Sequence, residues 1–173
     1  MELTFYFAGA VAVVSTIMML TRLNLAHALL YLIVSLLAVS VAFFTLGAPF
    51  AAALEVITYA GAIMVLFVFV MMLLNLGKAA TRMESALLRP AMWVGPSILA
   101  AILVGQMVYL FAHGVGSGNE TSVIGPAEVG ASLFGPYMLG VELASMLLLG
   151  GLVGAYHLGW RRPQSVATAR GAR

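Results

Sequence analysis

One stretch of this chain, Glu55 to Asn75, constrains its fold more than any other. It reads EVITYAGAIMVLFVFVMMLLN, an apolar run that is long enough to cross a bilayer as one helix and carries a carboxylate at its start. An ionisable side chain in hydrocarbon costs about 2.5–3.5 kcal/mol on insertion scales, so it usually has a function. We therefore interpret the rest of the chain as the setting for this helix.

The composition is that of an integral membrane protein. Of the 173 residues, 63% are hydrophobic and only 8% are charged, whereas soluble domains have about 25% charged residues. Too little polar surface is left to cover a water-soluble globule. The net charge of +2 does not imply a nucleic-acid partner. The chain has no cysteine, which excludes disulfides, cysteine-bound iron–sulfur clusters and a cysteine nucleophile.

The apolar runs predict an all-α, polytopic membrane protein with five transmembrane helices in a single membrane domain, residues 1–173. A helix needs about 20 apolar residues to cross the hydrocarbon. The predicted spans cover about residues 3–20, 26–46, 50–74, 92–112 and 136–160, followed by a polar tail at 161–173. We predict a tight reversal at Gly47–Pro49. Residues 113–135 are Gly-rich and polar, and they are predicted to be too irregular for a span.

The basic residues predict the orientation of the chain in the membrane. All eight Lys and Arg residues fall in the first loop, the third loop and the tail: Arg22, Lys78, Arg82, Arg89, Arg161, Arg162, Arg170 and Arg173. The second and fourth loops contain none. Because Lys and Arg are in excess on the cytoplasmic side, the N-terminus is predicted to lie outside and the C-terminus in the cytoplasm.

Two carboxylates, Glu55 and Glu142, are predicted to lie inside the third and fifth spans. Each lies roughly 7–9 Å from the outer end of its span, so the two could share a layer. No Lys, Arg or His lies in the interior of a span to neutralise them. Such a carboxylate is protonated, hydrated or paired with another chain, and each state suits a proton relay at a subunit interface. The alternative is an acid that faces the headgroups and is stabilised by the helix dipole.

The sequence Tyr59-Ala60-Gly61-Ala62 has two interpretations. Small residues let helices approach closely in lipid, which is the commoner reason for glycine in a span. The functional alternative is a π-bulge, a local weakness in the hydrogen-bond ladder that lets the helix rotate. Residue types alone favour the packing interpretation.

Two blocks of sequence resemble the subunit J family of bacterial respiratory complex I, the proton-pumping NADH:quinone oxidoreductase, whose mitochondrial counterpart is subunit 6. The first block comprises His27–Leu32 and Leu54–Val70, and the second comprises Leu133–Tyr137 and Val141–Leu149. The resemblance covers about residues 1–160, and its most specific part is in the third span. It implies a membrane-arm subunit in the bacterial inner (plasma) membrane, packed among other membrane subunits around the quinone-proximal proton path.

The resemblance also implies how the chain takes part in the reaction. It implies a non-redox subunit that binds no cofactor, since NADH, FMN, iron–sulfur clusters and quinone are bound by other subunits. Quinone reduction would be coupled to proton translocation by the third span, which would act as a gate. The implied proton-path residues are Glu55, Tyr59 and Glu142, and the implied bulge and gate residues are Tyr59, Gly61, Val65 and Phe67.

Two alternatives belong to other functional classes. One is a subunit of a multi-chain cation/proton antiporter, which has similar helices without NADH chemistry. The other is a passive membrane scaffold that only seals neighbouring subunits together. Loss of membrane NADH:quinone activity on deletion of the chain would exclude the antiporter, and unchanged pumping after both glutamates are replaced by glutamine would favour the scaffold.

Overall fold

The computed structural model describes residues 2–73, 91–112 and 123–159, and in these ranges the chain is helical without a strand. Its elements are α1 (Glu2–Thr21), α2 (Leu25–Thr45), α3 (Pro49–Glu55), a π-helix (Val56–Ile63), α4 (Met64–Leu73), α5 (Ala91–Ala112), α6 (Pro126–Leu133) and α7 (Met138–Gly159). Because α3, the π-helix and α4 follow one another without a break, they form one element, the third span.

The prediction of an all-α fold with five membrane-spanning helices is confirmed. Five helical runs are long and apolar enough to cross a bilayer: Glu2–Thr21, Leu25–Thr45, Pro49–Met71, Trp93–Ala112 and Met138–Gly159. Helix α6 was not predicted, and it lies in the segment that was expected to be irregular. The third loop and the tail, with most of the basic residues, lie outside the described residues. The predicted orientation stays a prediction.

The chain divides into two compact units, Met1–Gly125 and Pro126–Arg173. In the first unit α1 packs along α2, and α2 also contacts α5 and every part of the third span. In the second unit α6 contacts α7. The single membrane domain stays a prediction.

Small residues form the core of the first unit. Its buried apolar cluster joins α1, α2 and α5 and comprises Ala8, Val11, Val34, Ala38, Val41 and Leu103. Hydrogen bonds between polar side chains and the backbone also join α1 to α2. The Thr16 hydroxyl donates to the Ala12 carbonyl at 2.8 Å, and Ser35 Oγ lies 2.9 Å from Thr16 Oγ1 and 3.1 Å from the same carbonyl. Close packing and interhelical hydrogen bonds are the forces that hold helices together in lipid.

Helices α2 and α5 approach each other closely at Gly95. The side chain of Tyr31 is buried against this glycine, and a Cβ at Gly95 would overlap the tyrosine hydroxyl. Any larger residue at this position would have to displace the tyrosine ring from its buried place. Gly95 therefore makes room for Tyr31 between α2 and α5.

A tight turn joins α2 to the third span. Gly47 has φ 81°, a left-handed conformation that favours glycine, and Pro49 is the first residue of α3. The predicted reversal at Gly47–Pro49 is confirmed. Because so short a connection makes the joined helices antiparallel neighbours, it places the third span alongside α2.

Candidate functional site

The third span changes its hydrogen-bond pattern between Val56 and Ile63. In a π-helix an amide bonds to the carbonyl five residues earlier, instead of four as in an α-helix. The Met64 amide bonds in this way to the Tyr59 carbonyl, whereas the Val56 amide bonds to the carbonyls of Ala52 and Ala53. A regular α-helical segment therefore leads into a wider turn that contains Tyr59.

The π-helix changes which residues of the third span face α2. In an α-helix successive residues turn by about 100°, so residues 11 apart share a face within about 20° and residues 12 apart diverge by about 120°. Ala52 and Met64 are separated by 12 positions, yet each is only 4% exposed, and α3, the π-helix and α4 all contact α2. We infer that the π-helix takes up the extra residue. In an unbroken α-helix Ile63 would replace Met64 at this contact.

Gly61 lies in the π-helix where a side chain would crowd the backbone. A Cβ at this position would lie 3.3 Å from the Val56 carbonyl oxygen, tighter than an ordinary van der Waals contact. At Gly105 in α5, by contrast, a Cβ would meet no atom within 4 Å other than the backbone of its own helix within four residues. The missing side chain of Gly61 thus helps the wide turn to form.

Glu55, one of the predicted proton-path residues, is the last residue of α3. It lies directly before the π-helix and is half-buried. Within residues 2–73 and 91–112, no side chain forms a hydrogen bond or ion pair with its carboxylate. Tyr59 is 47% exposed, and Val65 and Phe67 of α4 are more than half exposed. The side chains of Tyr59, Val65 and Phe67 are therefore not packed into the interior of their own unit.

Glu142 lies in α7, in the second unit, where its side chain is exposed. Its backbone carbonyl accepts a hydrogen bond from the Ser145 hydroxyl at 2.7 Å. The predicted common depth of Glu55 and Glu142 stays a prediction, as does the role of Glu55, Tyr59 and Glu142 in a proton path.

Ser40 was not among the predicted site residues. Its hydroxyl, on α2, donates to the Ala52 carbonyl of α3 at 2.8 Å, and both residues are buried. A serine inside an apolar span is a signal for an interhelical hydrogen bond. Its partner cannot be read from the sequence, because a backbone carbonyl is present at every position.

These observations define the class of the protein. It is a helical, multi-pass membrane protein whose third span contains a π-helix next to a carboxylate without a side-chain partner among residues 2–73 and 91–112. Among the described residues, no group of three or more His, Asp or Glu side chains could hold a metal ion.

Comparison with known proteins identifies the family. The family model described as NADH-ubiquinone/plastoquinone oxidoreductase chain 6 matches residues 15–158. The chain belongs to this family, as the resemblance predicted.

Relatives of similar length carry one name, NADH-quinone oxidoreductase subunit J. The protein from Pseudomonas aeruginosa is 58% identical over 162 residues, which cover 92% of this chain and 96% of the relative. The protein from Escherichia coli (strain K12) is 54% identical over 159 residues, covering 92% and 86%. The protein from Buchnera aphidicola subsp. Schizaphis graminum is 50% identical over 159 residues, covering 92% and 98%.

Proposed function

We propose that this chain is a non-redox membrane subunit of the proton-translocating NADH-quinone oxidoreductase. Its family and the shared name of its bacterial relatives carry this proposal. With five apolar helices, it is a multi-pass protein of the bacterial inner membrane. Its N-terminus lies outside and its C-terminus in the cytoplasm, and it packs against other membrane subunits around the quinone-proximal proton path.

In this proposal the third span is the gating element. Quinone chemistry elsewhere in the complex biases the segment Val56–Ile63 between a π-helical and an α-helical register. Loss of the inserted residue turns everything beyond it by about 100° and moves it by about 1.5 Å along the axis. The apolar side chains of Val65 and Phe67 then move into or out of a water path near Glu55 and Tyr59. Such coupling needs an element with two states, and the observed π-helix supports this choice.

The carboxylates act as relay groups together with partners from other chains. Glu55 has no side-chain partner among the described residues of the first unit, and this supports the role, because a carboxylate in hydrocarbon needs a proton, water or a partner. Glu142 has the same role in the fifth span. Redox cofactors belong to other subunits of the complex.

Replacement of Gly61 by leucine tests the gate. A large side chain beside the Val56 carbonyl opposes the π-helix, so Gly61→Leu is expected to impair both proton translocation and quinone reduction. Assembly should remain largely intact, because Gly61 lies outside the buried contacts between the third span and α2. Proton uptake by membrane vesicles and the amount of assembled complex are the two measurements. Undiminished proton translocation by the assembled variant would overturn the gating mechanism.

The companions of the chain test its place in the complex. After mild detergent extraction, we expect it to co-purify with chains that carry flavin and iron–sulfur clusters. Deletion of the chain should abolish NADH:quinone activity in the membrane. Extraction without such companions would instead support a subunit of a cation/proton antiporter.

A further inference from the structure

We propose that Ser40 is a positioning residue that determines which half of the third span turns when the π-helix changes register. This inference rests on the proposed gating function and goes beyond it. The gate requires that Val65 and Phe67 move, but a change of register by itself does not specify which end of the span rotates. The contacts of the two ends with α2 differ, and this difference supplies the direction.

The upstream end is held by a directional contact. The Ser40 hydroxyl donates to the Ala52 carbonyl at 2.8 Å, and the side chains of both residues are buried, at 8% and 4% exposure. The same carbonyl also accepts the amide of Val56, the first residue of the π-helix. One oxygen thus joins α2 to the last regular turn before the π-helix, so rotation of α3 would break a hydrogen bond in a buried site.

Among the residues that the structure describes, the downstream end contacts α2 through apolar packing that a neighbouring residue can replace. Among the α4 side chains that the structure describes, Met64 is buried, Met71 is half-buried and the others are exposed. In the α-helical register Ile63 takes the position of Met64 against α2. Exchange of one apolar side chain for another of similar volume costs little. The downstream end therefore turns, and Val65 and Phe67 turn with it.

The consequence for a variant without the Ser40 hydroxyl is specific. The register of Val56–Ile63 still changes, but α3 is now free to take up part of the rotation. Met64 then stays against α2 in a larger fraction of molecules. The exchange of Ile63 for Met64 during turnover is therefore reduced, although the π-helix itself is untouched.

Disulfide trapping measures this exchange in the assembled complex. Leu29 lies 11 positions before Ser40 on α2, so it shares the face of Ser40 within about 20° and is about level with Met64 on the antiparallel third span. The chain has no cysteine of its own. Leu29→Cys is combined with either Met64→Cys or Ile63→Cys, and the rate of cross-linking is compared at rest and during NADH-driven turnover in native membranes.

With Ser40 present, we expect turnover to raise the rate of the position 63 cross-link relative to that of position 64. In Ser40→Ala, the increase in the ratio of the two cross-linking rates on turnover should be about threefold smaller. This is the effect expected from the loss of one interhelical hydrogen bond in a membrane. Ser35→Ala is the matched control, because it removes a buried hydroxyl of the same helix that contacts α1 instead of the third span. It should leave the exchange unchanged. Ser40→Thr keeps a donor and should behave as the parent.

The outcomes separate the two proposals. If the change in cross-linking on turnover is the same in Ser40→Ala, Ser35→Ala and the parent, the role of Ser40 is wrong, and the gating proposal is unaffected. A parent complex without any change on turnover overturns the change of register and the role of Ser40 together. If Ser40→Ala assembles poorly, Ser40→Thr decides: an assembled Ser40→Thr complex that loses the exchange overturns the proposal, and one that retains it supports the requirement for a hydroxyl.

Discussion

Replacement of Gly61 by alanine perturbs the gate by the smallest possible amount. The added Cβ would lie 3.3 Å from the Val56 carbonyl oxygen in the π-helix, so the two atoms must separate by a few tenths of an ångström. A shift of about 0.2 Å over a bond of about 1.5 Å is a bend of about 7–8°, which costs about 1 kcal/mol. Alanine also favours helix over glycine by about 1 kcal/mol, but it does so in both registers. The π-helical register should therefore lose population relative to the α-helical one by about fivefold.

The assay measures proton translocation and electron transfer separately. Inverted membrane vesicles that contain the Gly61→Ala complex are supplied with NADH and a quinone, and the initial rate of acidification and the rate of NADH oxidation are each expressed per assembled complex. Each cycle of the proposed gate passes through both the π-helical and the α-helical register. If the π-helical register is about fivefold less populated, the cycle is slower. We therefore expect slower proton translocation at an unchanged amount of assembled complex.

The matched control is Gly105→Ala on α5, where the added Cβ meets no atom within 4 Å beyond the neighbouring backbone of its own helix. It has the same change in composition and helix propensity without the backbone contact. If Gly61→Ala and Gly105→Ala translocate protons at equal rates, the contact with Val56 does not control the register, and the mechanism argued from it is wrong.

Three further substitutions test other parts of the structure. Glu55→Gln removes the proposed relay carboxylate, which has no side-chain partner in the described part of its unit, and it is expected to slow proton translocation by roughly tenfold or more. Glu142→Gln should act in the same direction, and unchanged pumping in both variants would indicate a passive scaffold. Gly95→Ala places a Cβ against the buried Tyr31 hydroxyl and should destabilise the packing of α2 on α5 by about 1–3 kcal/mol. Thermal dissociation of the complex measures this effect with Gly105→Ala as the control, and equal stability of the two variants would contradict the packing argument.

The π-helix could not be predicted from residue types alone. For Tyr59-Ala60-Gly61-Ala62, the sequence alone favoured close helix packing, and only the resemblance to a family indicated a bulge. In the structure these residues lie in a π-helix, and Gly61 is exposed on its own unit. The propensities that distinguish helix from loop do not distinguish the two kinds of helix, because both satisfy the backbone within the segment.

The sequence by itself determined that this chain is a five-span helical membrane protein. Apolar runs have to match the thickness of the hydrocarbon. The length of such a run can be read from consecutive residues, without knowledge of tertiary contacts. Only the tertiary structure decided the register of the third span. In the structure the Ser40 hydroxyl of α2 bonds to the Ala52 carbonyl, and the third span buries both Ala52 and Met64, 12 positions apart. These contacts join residues far apart in the sequence, so the hydrophobic pattern does not encode them.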